Sequence, residues 1–88
     1  MDLYSIEWKR SAQKELQGLD KKKVLKILEL VEGLAQNPYP IGSKKLKGTE
    51  FTYRIRVGDY RVIYSVISSI LTIEVIKIGH RQSVYRNL

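Results

Sequence analysis

The hydrophobic positions of this chain change period part-way along. From Leu3 to Trp8 they alternate, with Tyr4, Ile6 and Trp8 on one side and Ser5 and Glu7 on the other, which predicts a short strand. Helical spacing follows. Ser11 can cap a helix whose inner face is Ala12, Leu16 and Leu19. Gly18 and Asp20 mark a turn. Asp20 then caps a longer helix, in which Val24, Ile27, Leu28, Val31, Leu34 and Ala35 follow the 3.6-residue period. That helix is expected to stop near Asn37-Pro38.

Tyr39 to Glu50 reads as a loop with Pro40, Gly42 and Gly48, and it carries Lys44, Lys45 and Lys47. Beyond it the period is two. Tyr53, Ile55 and Val57 alternate, Gly58-Asp59 suits a two-residue type II′ turn, and Tyr60, Val62, Tyr64 and Val66 alternate again. Ser68-Ser69 is the next turn. Ile70 to Ile78 is a third strand of this set, apolar on both faces near its end and so central or covered, and Gly79 ends it. The expected architecture is α+β, in the order β-α-α-β-β-β. A helical hairpin packs on one face of a mainly antiparallel four-stranded sheet, and residues 1–88 form a single domain.

Composition narrows the chemistry. There is no cysteine, which excludes disulfides, thiolate metal sites and a cysteine nucleophile. A single histidine excludes a conventional histidine-based metal cluster, so no cofactor or metal is expected. No apolar run approaches the ~18 residues of a membrane span, and Met1-Asp2-Leu3-Tyr4-Ser5 lacks the basic start of a signal peptide. The cytoplasm is the expected location.

The charge is lopsided. Residues 1–43 hold seven Lys/Arg against six Asp/Glu, whereas residues 44–88 hold nine against three. Lysines dominate the first half, and five of the six arginines lie at or after Arg54. Arginine offers a planar fork matched to phosphate, whereas lysine is a solvated point charge. A polyanionic partner is the functional implication, nucleic acid first and an acidic protein second. Solubility is the alternative.

Counting back from Gly58-Asp59 sets the register: Val57 faces Tyr60, Arg56 faces Arg61, Ile55 faces Val62 and Arg54 faces Ile63. Arg54, Arg56 and Arg61 then share the face away from the core. Like charges directly opposed destabilise a sheet by up to about 1 kcal/mol. Either the side chains splay into water, where salt screens the repulsion, or a polyanion threads between converging guanidinium groups. The tail adds His80, Arg81, Tyr85 and Arg86. His80 is the one side chain here whose ordinary pKa lies near neutrality, which suits proton transfer. Tyr85 could stack on a nucleobase or pack on the core.

The run Tyr53-Arg54-Ile55-Arg56-Val57-Gly58-Asp59-Tyr60-Arg61-Val62-Ile63-Tyr64, followed by Val75-Ile76-Lys77-Ile78-Gly79-His80-Arg81 and Val84-Tyr85-Arg86, resembles the core signature of RelE-type toxins. These belong to the RelE/ParE superfamily of prokaryotic toxin–antitoxin pairs. The resemblance spans nearly the whole chain and includes Lys44-Lys45-Leu46-Lys47-Gly48. It implies a metal-independent endoribonuclease that cuts messenger RNA in the ribosomal A site, with the 2′-hydroxyl attacking the adjacent phosphate. It also implies that Arg61 holds the phosphate, Arg81 stabilises the transition state or the leaving oxygen, and Tyr85 orients the base.

Arg54 and Arg56 stand where well-studied members carry lysines. Arginine does not deprotonate, so these two can neutralise charge but not act as base, and attention moves to His80. Lys44, Lys45, Lys47 and Arg86 are the expected RNA and ribosome contacts. The resemblance further implies a RelB-like antitoxin with an acidic helical segment, which either covers the arginine face or displaces the C-terminal segment. Operator DNA would be bound only through that complex. Rival expectations are ParE-like inhibition of DNA gyrase and a non-catalytic ribosome- or nucleic-acid-binding module.

Overall fold

The computed structural model of the chain describes residues 3–80. Its elements run β1 (Ser5–Trp8), α1 (Arg10–Gln17), α2 (Lys21–Leu34), β2 (Lys44–Lys45), β3 (Thr52–Val57), β4 (Tyr60–Ile67), a 3₁₀ turn (Ser68–Ile70) and β5 (Thr72–His80). The strands form one sheet in the order β1-β5-β4-β3-β2. Only the β1–β5 pair is parallel.

The α+β expectation holds, with one correction: the sheet has five strands rather than four. The extra strand comes from the lysine loop, where Lys44 pairs with Arg54 and Lys45 with Tyr53. Two residues cannot show a period, so this strand is set by its neighbours. Gly42 and Gly48, at φ 99° and 81°, bend the chain into and out of it.

Asp20 caps α2 as expected, its carboxylate accepting from Lys23 N at 3.0 Å. Ser11 does not cap α1. The helix begins two residues earlier, with Lys9 at the cap position and no side-chain cap bond. The longer helix stops at Leu34, short of Asn37. The first turn of α2 is Lys21-Lys22-Lys23 and contains no acidic residue. Cations there oppose the helix macrodipole, at about 0.3–1 kcal/mol each when exposed.

The core lies between helices and sheet. Ala12 of α1 and Ile27, Val31 and Leu34 of α2 pack with Ile55, Val62, Tyr64, Val66, Ile73, Val75 and Ile78. Tyr64 is its largest fully buried side chain. Its hydroxyl donates to Pro38 O at 2.8 Å. Burial pushes the phenol from 10.0 up to about 12, a rise partly opposed by the Ser43 side chain. Tyr53 stacks on Tyr64 at 6.0 Å, and Tyr39 meets Tyr53 edge-on at 5.1 Å. This row of rings ties the segment after α2 to the sheet and thereby brings β2 alongside β3.

Strand β5 is central, as its apolar character implied, but β1 covers only its first half. Beyond Val75 a helix takes over that edge. Glu15 of α1 accepts from Ile78 N at 3.0 Å and pairs with Lys77 Nζ at 3.4 Å. One carboxylate thus satisfies an edge donor that no strand reaches.

Candidate functional site

The hairpin closes as counted. Gly58 has φ 61° and Asp59 does not share the positive sign, which is the type II′ pattern. The register is Val57↔Tyr60, Arg56↔Arg61, Ile55↔Val62 and Arg54↔Ile63. In a two-residue hairpin the closing pair is hydrogen-bonded, so Arg56↔Arg61 is a non-hydrogen-bonded pair. Its Cα atoms stand about 4.5 Å apart, the closer of the two antiparallel spacings.

Ile55, Val62 and Tyr64 belong to the helix-side core. Alternation therefore puts Arg54, Arg56 and Arg61 together on the other face. Arg56 is exposed, and Arg54 and Arg61 are half-buried. Lys44, opposite Arg54, joins them. Lys45 lies opposite Tyr53 and so belongs to the helix side, while Lys47 lies beyond the ladder.

The rest of this face differs in character. Ile63 is fully buried although it lies outside the helix-side core. The only sequence signal for it was an apolar residue at an outward position. Beside it the Thr52 and Ser65 hydroxyls meet at 3.1 Å. Further across, Glu74 pairs with Ser65 and with Glu7, so two carboxylates stand in register on the β1–β5 side. The face is thus basic over β2, β3 and β4 and acidic where Glu7 of β1 meets Glu74 of β5. An anionic chain is drawn to the former and repelled from the latter.

His80 is not brought to this face. Between Ile63 and Tyr64 the β4–β5 register shifts, because Tyr64 pairs with Val75 while Ile63 pairs with Lys77. Ile76 is the extra residue of a β-bulge. Without it, alternation from Ile73 and Val75 would point His80 toward the arginines. With it, Ile78 turns into the core and His80 follows. His80 pairs with Tyr60, and their rings meet edge-on at 5.2 Å. Lys23 Nζ sits over the same Tyr60 ring at 4.9 Å, which fixes this as the helix side. Gly79, not His80, stands beside Arg61 in the ladder. Arg81, Tyr85 and Arg86 lie outside the described residues.

The chain is thus a two-layer α+β domain in which Arg54, Arg56 and Arg61 share the sheet face turned away from the helices. Its relatives narrow the class. The family model for the ParE toxin of the type II toxin–antitoxin system parDE matches residues 6–85. The putative toxin RelE1 of Methanocaldococcus jannaschii is 34% identical over 87 residues, covering 96% of this chain and 97% of that protein. Toxin RelE of Mycobacterium tuberculosis is 32% identical over 84 residues, covering 94% of this chain and 87% of that protein. The archaeal RelE–RelB complex from Pyrococcus horikoshii OT3 superposes with a TM-score of 0.82 at 35% identity, over 91% of this chain and 97% of that one. The chain belongs to the RelE/ParE superfamily of type II toxins and is of the RelE type.

Proposed function

We propose that this toxin is a metal-independent messenger-RNA endoribonuclease that acts in the ribosomal A site, in the cytoplasm. The observation that carries the reading is the register-fixed opposition of Arg56 and Arg61, flanked by Arg54 and Lys44, on the sheet face turned away from the helices. Like charges held at that spacing are unfavourable alone and favourable around a phosphate.

The 2′-oxygen attacks the adjacent phosphorus and the 5′-oxygen leaves, giving a 2′,3′-cyclic phosphate and a 5′-hydroxyl. The proton lost by the 2′-hydroxyl is balanced by the one the leaving oxygen gains. Fixed cations serve such a reaction by stabilising charge on the pentacoordinate phosphorus. Arg54, Arg56 and Arg61 carry that part. Arg81 and Tyr85 are proposed on the family signature to assist the leaving oxygen and to orient the base, with Arg86 as a further RNA contact.

Induced expression followed by mapping of mRNA 5′ ends tests the reading. New ends within translated codons, absent for Arg61→Ala, are expected. The matched family model carries the ParE name, which favours gyrase as the second reading. Inhibited supercoiling with an unchanged 5′-end map would install it instead. The complexes of RelE with RelB from P. horikoshii and M. jannaschii support a cognate antitoxin here, with an acidic helical segment suited to the basic surface.

The bulge redirects the role expected of His80. Packed against Tyr60 on the helix side, it is a supporting residue and not the proton carrier. His80→Gln is expected to leave single-turnover cleavage on programmed ribosomes within a few-fold of wild type. A loss of about 10²-fold, the scale of general acid–base catalysis, would return it to the chemistry.

A further inference from the structure

We infer that the lysine ridge at the start of α2 is a second RNA-backbone contact, separate from the strand held by the arginines. This inference rests on the ribosomal reading above and names a partner surface within it.

The ridge consists of Lys21, Lys22 and Lys26, all exposed, with Lys23 anchored over the Tyr60 ring. Lys22 and Lys26 are four residues apart on one helix face, an unfavourable like-charge spacing. Three lysines occupy a first turn whose dipole disfavours them. Among the described residues the one ion pair is Lys77–Glu15, so none of the ridge lysines is held within ion-pair distance of a carboxylate. Lys23 and Lys26 line a hollow of about 100 Å³ against Val57, Gly58, Asp59 and Tyr60 at the hairpin tip, yet neither forms an ion pair with Asp59. The arrangement works against helix stability and leaves the charges available to solvent.

The position of the ridge matters as much as its charge. Tyr60 precedes Arg61 in β4, and the two side chains leave opposite faces of the sheet. The hairpin end is therefore basic on both sides, arginine on one and lysine on the other. One extended strand cannot occupy both faces without passing the Asp59 tip. The two surfaces suit two runs of backbone, as for a domain lodged between a messenger and a folded RNA. The residue types agree. Arginine forks grip one phosphate with defined geometry, whereas lysine point charges neutralise a backbone without demanding register.

The test separates binding from chemistry. In an Arg61→Ala background, Lys21→Gln/Lys22→Gln/Lys26→Gln is compared with its parent by co-sedimentation with 70S ribosomes across a salt series. The same triple substitution in the wild-type background is assayed for single-turnover cleavage at saturating ribosomes. Affinity is expected to fall about tenfold or more, and the salt slope by roughly 2–3, near 0.9 per lost phosphate contact. The saturated cleavage rate stays unchanged. The triple Lys→Arg variant restores affinity, which shows that charge and not helix integrity is read. Unchanged affinity and slope would overturn the ridge while leaving the arginine chemistry standing. Weakened binding of the cognate antitoxin with ribosome affinity intact would overturn it in favour of an acidic protein. Lysine-dependent ribosome binding with no new 5′ ends would keep the ridge and remove the nuclease.

Discussion

Arg61→Ala is expected to lower single-turnover mRNA cleavage by about 10²–10³-fold, the usual cost of removing one preorganised charge-stabilising donor. Far-ultraviolet circular dichroism checks that the variant stays folded. Arg61 is half-buried on the face away from the helices, and it faces Arg56, so its removal also relieves a repulsion. Arg61→Lys should recover only part of the rate, because an ammonium keeps the charge and loses the two-pronged geometry. A fully active Arg61→Ala protein would mean that the arginine pair is not where phosphate is held.

Tyr64→Ala is expected to cost about 3–5 kcal/mol, as for other large-to-small changes of buried aromatic rings. A chain of this size has little more than that to lose. Tyr64 is fully buried, stacks on Tyr53 and donates to Pro38. Tyr64→Phe isolates the hydroxyl and should cost about 1–2 kcal/mol, since Pro38 O is left without its donor. Urea unfolding followed by far-ultraviolet circular dichroism measures both. The neutral phenol is the buried form, with a folded pKa near 12 against 10.0 for the ordinary group. Its contribution is therefore whole below pH 10 and is lost as the pH climbs through about 12. Tyr64→Phe should flatten that alkaline decline, and an unaltered decline would assign it to other groups.

Much of this fold is legible because hydrophobic period and turn chemistry agree. Gly58 at a two-residue turn fixes the hairpin register, and with it the convergence of Arg54, Arg56 and Arg61, before any coordinate is known. Three features are not legible in this way. Strand β2 is too short for a pattern and exists because the Tyr39–Tyr53–Tyr64 rings hold the preceding segment against the sheet. The start of α1 at Arg10 dispenses with a side-chain cap, so the presence of Ser11 misplaces the start by two residues. The bulge at Ile76 has no residue signature, yet it reverses the side on which every later β5 residue emerges. That reversal explains why the arginine cluster follows from the sequence and the placement of His80 does not. The apolar residues Ile76 and Ile78, which made the strand look two-faced, are its only trace.

The opposed arginines have a consequence for solution behaviour. A native state that holds two guanidinium groups in register has a latent affinity for multivalent counter-ions, which the unfolded chain lacks because its charges are spread out. Sulfate should therefore raise the melting temperature more than chloride at equal ionic strength, beyond what its exclusion from any protein surface gives, and Arg56→Thr should reduce the difference between the two salts to that general part. The hairpin that positions the cluster would thus double as a sensor of its own occupancy, loosest when empty and tightest when an oxyanion sits between the strands.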